Sequence, residues 1–144
     1  MNRRSFLQTA AGSAPALLAQ STPIQRKGRL KQAATRGCFG RGLTMEETAR
    51  EAARLGLKGI DLVGPADWPI LKKYGLLPTM CPGGGALSDN MNHKENHARI
   101  EPQYREAILQ AAQFGAPNVI ALSGNRRGIP DQEGMDNTVA FLSK

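Results

Sequence analysis

The sequence has few cysteines and few aromatic residues, and these shortages exclude several classes of protein. Cys38 and Cys81 are the two cysteines among 144 residues. They fit no metal-ligand spacing and make no disulfide framework, so we expect buried or half-buried thiols. Aromatic residues make up 5% of the chain, and none is interleaved with the basic clusters at 26–31 and 126–127, as a nucleic-acid stacking groove requires. The net charge of +7 therefore indicates a solvated basic surface, and we expect no nucleic-acid partner.

Three chemical signatures are also missing. No G-x-G-x-x-G turn follows the first predicted strand, which disfavours a dinucleotide-binding domain. The glycine-rich stretch at 82–89 lacks the Gly-Lys-Ser/Thr ending of a P-loop, so it predicts a flexible active-site loop rather than a phosphate cradle. His93 and His97 lack the carboxylate of a His-Glu-x-x-His signature, and the sequence therefore predicts no metal ligands among them.

The first nineteen residues are typical of a bacterial export signal. Arg3 and Arg4 precede a short stretch rich in alanine and leucine that runs to Ala19. A pair of arginines before a modest apolar segment predicts a twin-arginine signal, and the segment is shorter than the roughly 20 apolar residues that span a bilayer. The alternative is an N-terminal tail with a chance arginine pair. We expect export to the periplasm by the twin-arginine machinery, a polar linker at 20–29 and one domain at 30–144.

From residue 30 onward, strand-like and helical patterns alternate four times. Strands are predicted at 30–35, 59–63, 76–81 and 118–122, and helices at 45–55, at 66–75, over about twenty residues ending at Gly115, and from Asp131 onward. Such alternation predicts an α/β fold with parallel strands and right-handed helical crossovers.

Two architectures fit this alternation. A small doubly wound sheet closes within this length, whereas a (β/α)₈ barrel needs about 250 residues, so the chain would be half of one. Asp61 lies within an apolar predicted strand. This favours the barrel, because a barrel interior can hold a hydrogen-bonded carboxylate that a flat two-sided core would find costly.

Three segments resemble the hydroxypyruvate isomerase group of the xylose isomerase-like (AP endonuclease type 2) superfamily. They are LVGPADWPILKKYGL at 62–76, LSDNMNHKENHARI at 87–100 and NVIALSGNRRG at 118–128. The resemblance covers 30–144 and implies four N-terminal βα units of a TIM barrel. It also implies a divalent metal, Mg²⁺ or Mn²⁺, and isomerisation between an α-hydroxy-aldehyde and an α-hydroxy-ketone, such as tartronate semialdehyde and hydroxypyruvate.

The resemblance assigns no catalytic residue and no metal ligand to this chain. In the superfamily these groups come mostly from strands five to eight, which four βα units do not include. We therefore expect the 144-residue chain to be a fragment of the isomerase that is inactive by itself.

The candidate substrate-binding residues are Asn125, Arg126 and His97. Barrel active sites lie at the carboxyl ends of the strands. Asn125 and Arg126 follow the fourth predicted strand, and arginine binds a carboxylate with two hydrogen bonds. The alternative is a turn in which Gly124 and Asn125 serve backbone geometry and the arginines are solvated. His97 either reaches the substrate from a lid or helps to start a helix.

Three rival functions stay open at this point. A DNA endonuclease of the same superfamily would use a Zn²⁺ cluster, but the export signal and the missing basic groove disfavour it. A non-catalytic periplasmic sugar- or acid-binding barrel would lack the glutamates and the metal set. A complete doubly wound binding domain would fold cooperatively alone, whereas a half barrel exposes two sheet edges and is expected to form a homo-oligomer or to aggregate.

Overall fold

The computed structural model describes residues 30–144, in which a small parallel sheet is combined with four helices. The strands are β1 (Ala33–Thr35), β2 (Gly59–Asp61) and β3 (Leu77–Pro78), and they pair in parallel in that order. The helices are α1 (Met45–Arg54), α2 (Trp68–Lys73), α3 (His97–Phe114) and α4 (Asp131–Leu142). The predicted α/β class is confirmed in this coarse form. The predicted export signal with Arg3 and Arg4, and the linker at 20–29, lie outside the described residues.

The strands are shorter than those predicted from the sequence. β2 ends at Asp61 because Leu62 has a φ of 61°, which is outside the extended region. The segment 118–122, predicted as a fourth strand, pairs with the sheet only through a parallel bridge between Cys81 and Val119. Within the described residues this single bridge is the only β pairing that segment 118–122 makes.

Helix α1 begins at the predicted capping box. The Thr44 hydroxyl accepts the Glu47 N–H at 3.2 Å, and the Glu47 carboxylate accepts the Thr44 N–H at 2.8 Å. The reciprocal bonds satisfy two of the N–H groups that a helix start leaves unpaired. Gly56, with a φ of 77°, follows the helix end. In the described part of the chain, none of the helices has both the length and the apolarity that a bilayer crossing needs.

The core lies between the sheet and helices α1 and α2. Ile60, Leu71 and Leu76 are almost fully buried there. Trp68 is 4% exposed; its indole N–H donates to the Val63 carbonyl at 2.8 Å. This anchors α2 at the carboxyl end of β2.

A close approach of β2 and β3 depends on Gly59. A Cβ atom at this position would lie 2.4 Å from the Leu77 carbonyl oxygen and 2.4 Å from Thr79 Cγ2, closer than real Cβ contacts. Two residues further on, the Asp61 carboxylate accepts a hydrogen bond from Thr79 Oγ1. This partner lowers the cost of placing a carboxylate in an otherwise apolar strand.

The glycine-rich stretch after β3 passes directly under α3. A Cβ atom on Gly83 would lie 2.2 Å from the Ile120 carbonyl oxygen and 2.5 Å from the Tyr104 ring. A Cβ atom on Gly84 would lie 2.8 Å from the same ring. Close packing therefore accounts for these two glycines.

Candidate functional site

The chain from β3 to the first residue of α3 contains a run of buried polar side chains, which we name the asparagine loop (residues 90–97). Its buried polar residues are Asn90, Asn92, His93, Asn96 and His97. Burying an amide or an imidazole costs free energy unless the group is hydrogen-bonded. The hydrogen bonds of these side chains therefore determine how the loop is held.

Asn90 is the most heavily bonded of these residues. It is fully buried, and its Nδ2 donates to the carbonyls of Gly84 at 3.1 Å and Ala86 at 3.2 Å. Its Oδ1 accepts from the Met91 N–H at 3.0 Å and the Tyr104 hydroxyl at 3.2 Å. Asn90 thus ties the glycine-rich stretch to α3.

Asn92 and His93 connect the asparagine loop to the segment that follows 118–122. The Asn92 N–H donates to the Ser123 carbonyl at 2.8 Å, and Asn92 Nδ2 donates to the Asn125 carbonyl at 2.8 Å. His93 Nε2 lies 3.3 Å from the same Asn125 carbonyl. From α4, Asn137 Nδ2 donates to the Asn92 carbonyl at 3.0 Å. Three separate parts of the chain are therefore joined at Asn92.

A cleft of about 700 Å³ opens beside this junction, between α4 and the chain after segment 118–122. Its polar lining includes Asn92, Arg126, Asp131 and Thr138, and its apolar lining includes Ile129, Met135 and Val139. Ser123, Gly124 and Arg126 place it just past the carboxyl end of segment 118–122, and open α/β sheets bind ligands beyond the carboxyl ends of their strands. An apolar pocket with a few convergent polar groups is the usual form of a small-molecule site.

Arg126 stands on the rim of the cleft with 67% of its side chain exposed. Its Nε donates to the Ile129 carbonyl at 3.1 Å and lies 3.1 Å from an oxygen of Asp131. Among the described residues, neither terminal nitrogen of the guanidinium has a hydrogen-bond partner. An exposed ion pair of this kind contributes at most about 1 kcal/mol, so a ligand carboxylate can bind the free side of the guanidinium.

The three predicted substrate-binding residues are not all brought to the cleft. Arg126 lines it. Asn125 is exposed beside it and is held through its backbone, with its N–H donating to the Leu87 carbonyl at 2.7 Å. His97 lies elsewhere: its Nε2 donates to the Met91 carbonyl at 2.7 Å, and its ring packs 5.1 Å from that of Phe141. Substrate contact by any of the three stays a prediction.

The backbone around Arg126 also has the features of the predicted turn. Gly124 has a φ of 108° and Arg127 a φ of 44°. The Ile129 N–H donates to the Arg126 carbonyl at 3.2 Å. Arg127 pairs with Asp89 at 3.2 Å. The turn and the binding role are therefore compatible, because the turn leaves the Arg126 side chain at the cleft.

The divalent metal implied by the resemblance does not fit the described residues. Residues 30–144 contain no group of three or more histidine, cysteine, aspartate or glutamate side chains placed to hold a metal ion. Asp131 is the only carboxylate that lines the cleft in the described structure, and it is paired with Arg126. These residues can bind and orient a ligand, but they do not form a metal centre.

Asn92 and Asn137 were not among the residues predicted from sequence. The available signal was three asparagines within the seven residues 90–96. Asparagine is common in exposed turns, so the sequence pattern does not distinguish a buried amide network from a solvated loop.

Comparison with known proteins does not assign the chain to a family: no protein-family model matches it, and no curated protein matches it significantly.

Proposed function

We propose that the cleft binds a small α-hydroxy-carbonyl acid or sugar, as the substrate-binding part of a hydroxypyruvate isomerase-like (β/α)₈ barrel. The observation that carries this proposal is the cleft just past segment 118–122 with the Arg126 guanidinium on its rim. Its volume of about 700 Å³ is within the range of small-molecule sites. The terminal guanidinium nitrogens of Arg126, which the pairing with Asp131 leaves free, favour a ligand that carries a carboxylate.

In the proposed reaction, an aldose–ketose isomerisation, a base removes a proton next to a carbonyl and the resulting enediolate is stabilised electrostatically. The described residues contribute binding and orientation, with Arg126 holding the carboxylate. The acid–base groups and the Mg²⁺ or Mn²⁺ site of the proposed isomerase are not among them. Binding without turnover is therefore expected of this chain by itself.

The exposed apolar residues next to segment 118–122 support the barrel. Ile108 on α3 and Leu142 on α4 are each more than half exposed, and they line one groove together with Val119 and Ala121. They lie near a sheet edge that is unpaired within the described residues. Apolar surface beside an open edge is typical of a face that another element covers. Further βα units of a barrel would cover it, and in a homo-oligomer a second copy would.

The proposed location of this activity follows from the N-terminal segment. Arg3 and Arg4 favour the twin-arginine machinery as a partner, which would deliver the folded protein to the periplasm.

The binding proposal is tested by isothermal titration of hydroxypyruvate into the 144-residue chain and two variants. Arg126→Ala should weaken binding about tenfold or more, because a hydrogen bond to a charged group contributes about 1.5–3 kcal/mol. Arg105→Ala is the matched control, since Arg105 is also exposed and is also paired with a carboxylate, that of Glu101 at 2.9 Å, away from the cleft. Binding that is absent from the wild-type chain, or that is equally strong in Arg126→Ala, contradicts the proposal.

A further inference from the structure

Large apolar side chains are gathered around the cleft. Met135 is 55% exposed and Val139 is 63% exposed, and both line the cleft together with the partly buried Ile129. Met135 and Val139 are four residues apart on α4, so they are neighbours on one face of the helix. Single exposed apolar residues are normal on a protein surface, whereas several around one cavity are typical of a binding groove.

Gly134 allows Ile129 to join this apolar lining. Gly134 is buried within α4 and also lines the cleft. A Cβ atom on Gly134 would lie 3.2 Å from Ile129 Cδ1 and 3.6 Å from Asn92 Cβ. A glycine inside a helix costs about 1 kcal/mol relative to alanine. Here it gives the Ile129 side chain a place on α4 beside Met135.

The polar side chains of the lining offer little to a hydroxylated ligand body. Thr138 Oγ1 donates to the Gly134 carbonyl at 2.8 Å, and Asn92 Nδ2 donates to the Asn125 carbonyl at 2.8 Å. Less than 1 Å² of Asn92 Oδ1 is accessible, with no donor in contact among the described residues, so a ligand in the cleft does not reach it. The terminal nitrogens of Arg126 are free by contrast. The cleft therefore matches a carboxylate at one end of a ligand and an apolar body behind it.

We propose that the cleft binds an aliphatic monocarboxylic acid, whose carboxylate pairs with Arg126 and whose chain covers Met135 and Val139. The cleft volume of about 700 Å³ is within the range of sites for drug-sized ligands and has room for a chain longer than that of a three-carbon acid. No aromatic side chain lines the cleft in the described structure, which favours an aliphatic body over a stacked ring. The inference goes beyond the proposed function, with which it shares only the carboxylate at Arg126.

The test is isothermal titration of butanoate, hexanoate and octanoate into the full chain, alongside hydroxypyruvate. A fully buried methylene group tightens binding about fourfold. Because the cleft is open, we expect octanoate to bind about tenfold or more tightly than butanoate. Octanamide, which has the same body without the charge, should bind about tenfold more weakly than octanoate, because it lacks a charged partner for the Arg126 guanidinium.

Variants locate the aliphatic body on α4. The double variant Met135→Gln/Val139→Thr keeps similar side-chain shapes and adds polar atoms, and it should reduce the preference for octanoate over butanoate about threefold or more. Leu109→Gln is the matched control, since Leu109 is 62% exposed on α3 and lies outside the cleft; this variant should keep the preference. All three side chains are exposed, so the replacements remove no core contact.

The outcomes separate the two proposals. If hydroxypyruvate binds and affinity does not rise with chain length, the inference is overturned while the proposed function stands. If the series binds as expected and hydroxypyruvate does not, the inference stands and the proposed function fails. If no acid binds the wild-type chain, both fail.

Two other results would overturn the inference. A preference for octanoate that persists in the double variant, or that Leu109→Gln loses to the same extent, would place the aliphatic body elsewhere on the surface. Sedimentation of the wild-type chain as a dimer that the double variant does not form would show that a second copy covers Met135 and Val139.

Discussion

The replacement Asn90→Ala should destabilise the protein by about 3 kcal/mol. Asn90 makes four hydrogen bonds, and three of its partners, Gly84, Met91 and Tyr104, are buried residues. A lost hydrogen bond of this kind costs about 1 kcal/mol each, which gives about 3 kcal/mol for the three. The fourth partner, Ala86, is exposed, so its carbonyl can bind water and adds little.

Urea denaturation followed by far-ultraviolet circular dichroism measures this loss as a change in the free energy of unfolding. The midpoint of thermal unfolding should fall by about 10 °C for a chain of this size. Asn118→Ala is the control, because the exposed Asn118 side chain makes a single hydrogen bond, to the Thr79 carbonyl at 2.9 Å, and its loss should cost about 1 kcal/mol or less.

A double-mutant cycle sharpens the same prediction. Tyr104→Phe removes the hydroxyl that donates to Asn90 Oδ1 at 3.2 Å, so the two replacements should be coupled by about 1 kcal/mol. The reasoning is refuted if Asn90→Ala costs no more than Asn118→Ala, or if the two replacements are simply additive.

Two further predictions concern the sheet and the helix pair α1–α2. Gly59→Ala should lower the free energy of unfolding by about 2–3 kcal/mol, because the new methyl overpacks against β3. In the same urea assay the control Gly64→Ala, with nothing within 4 Å of the new methyl, should change it by no more than about 0.5 kcal/mol. Equal losses of stability in the two variants would show that β2 and β3 can separate freely. Hydrogen bonds from Lys73 and Tyr74 lower the pKa of the Glu46 carboxyl below its ordinary value of 4.5. The ionised carboxylate therefore stabilises the fold above about pH 4.5, and this stabilisation is lost as the pH falls through the lowered pKa of the folded protein. Glu46→Gln should therefore make the stability fall less steeply between about pH 5 and pH 3, and an unchanged slope would contradict the assignment.

Local sequence patterns predicted the helices well. The Thr44–Glu47 capping box defines the start of α1 without any tertiary contact, because both bonds lie within one turn. Gly56 and Gly115 adopt the positive φ angles expected just beyond helix ends. The position of α4 at Asp131 also follows from the local pattern.

The strands were predicted less accurately because a strand exists only where a neighbour pairs with it. Segment 118–122 is apolar in the sequence, yet in the described structure it is joined to the sheet by a bridge alone. The positive φ of Leu62 ends β2 two residues early, and no residue type in GIDLV signals it.

The candidate site, like the fold, was predicted from the sequence only in part. The sequence placed Arg126 at the carboxyl end of the last parallel segment, and the structure puts its guanidinium on the rim of the cleft. His97, predicted with it, instead bonds to the Met91 carbonyl. The role of Asn92 depends on bonds to residues 33 and 45 positions away along the chain.

By itself, the sequence determined the α/β class, the helix starts and ends, and the presence of an arginine after the last apolar segment, because each depends on neighbours within a few residues. Only the tertiary structure decided that asparagines of an apparently polar loop are buried. It also decided that Asn92 retains an unpaired oxygen beside Gly124 and that a cleft opens there. The physical reason is that the burial of a polar side chain, and the hydrogen bonds it is left without, are set by chain segments that approach one another only in the folded protein.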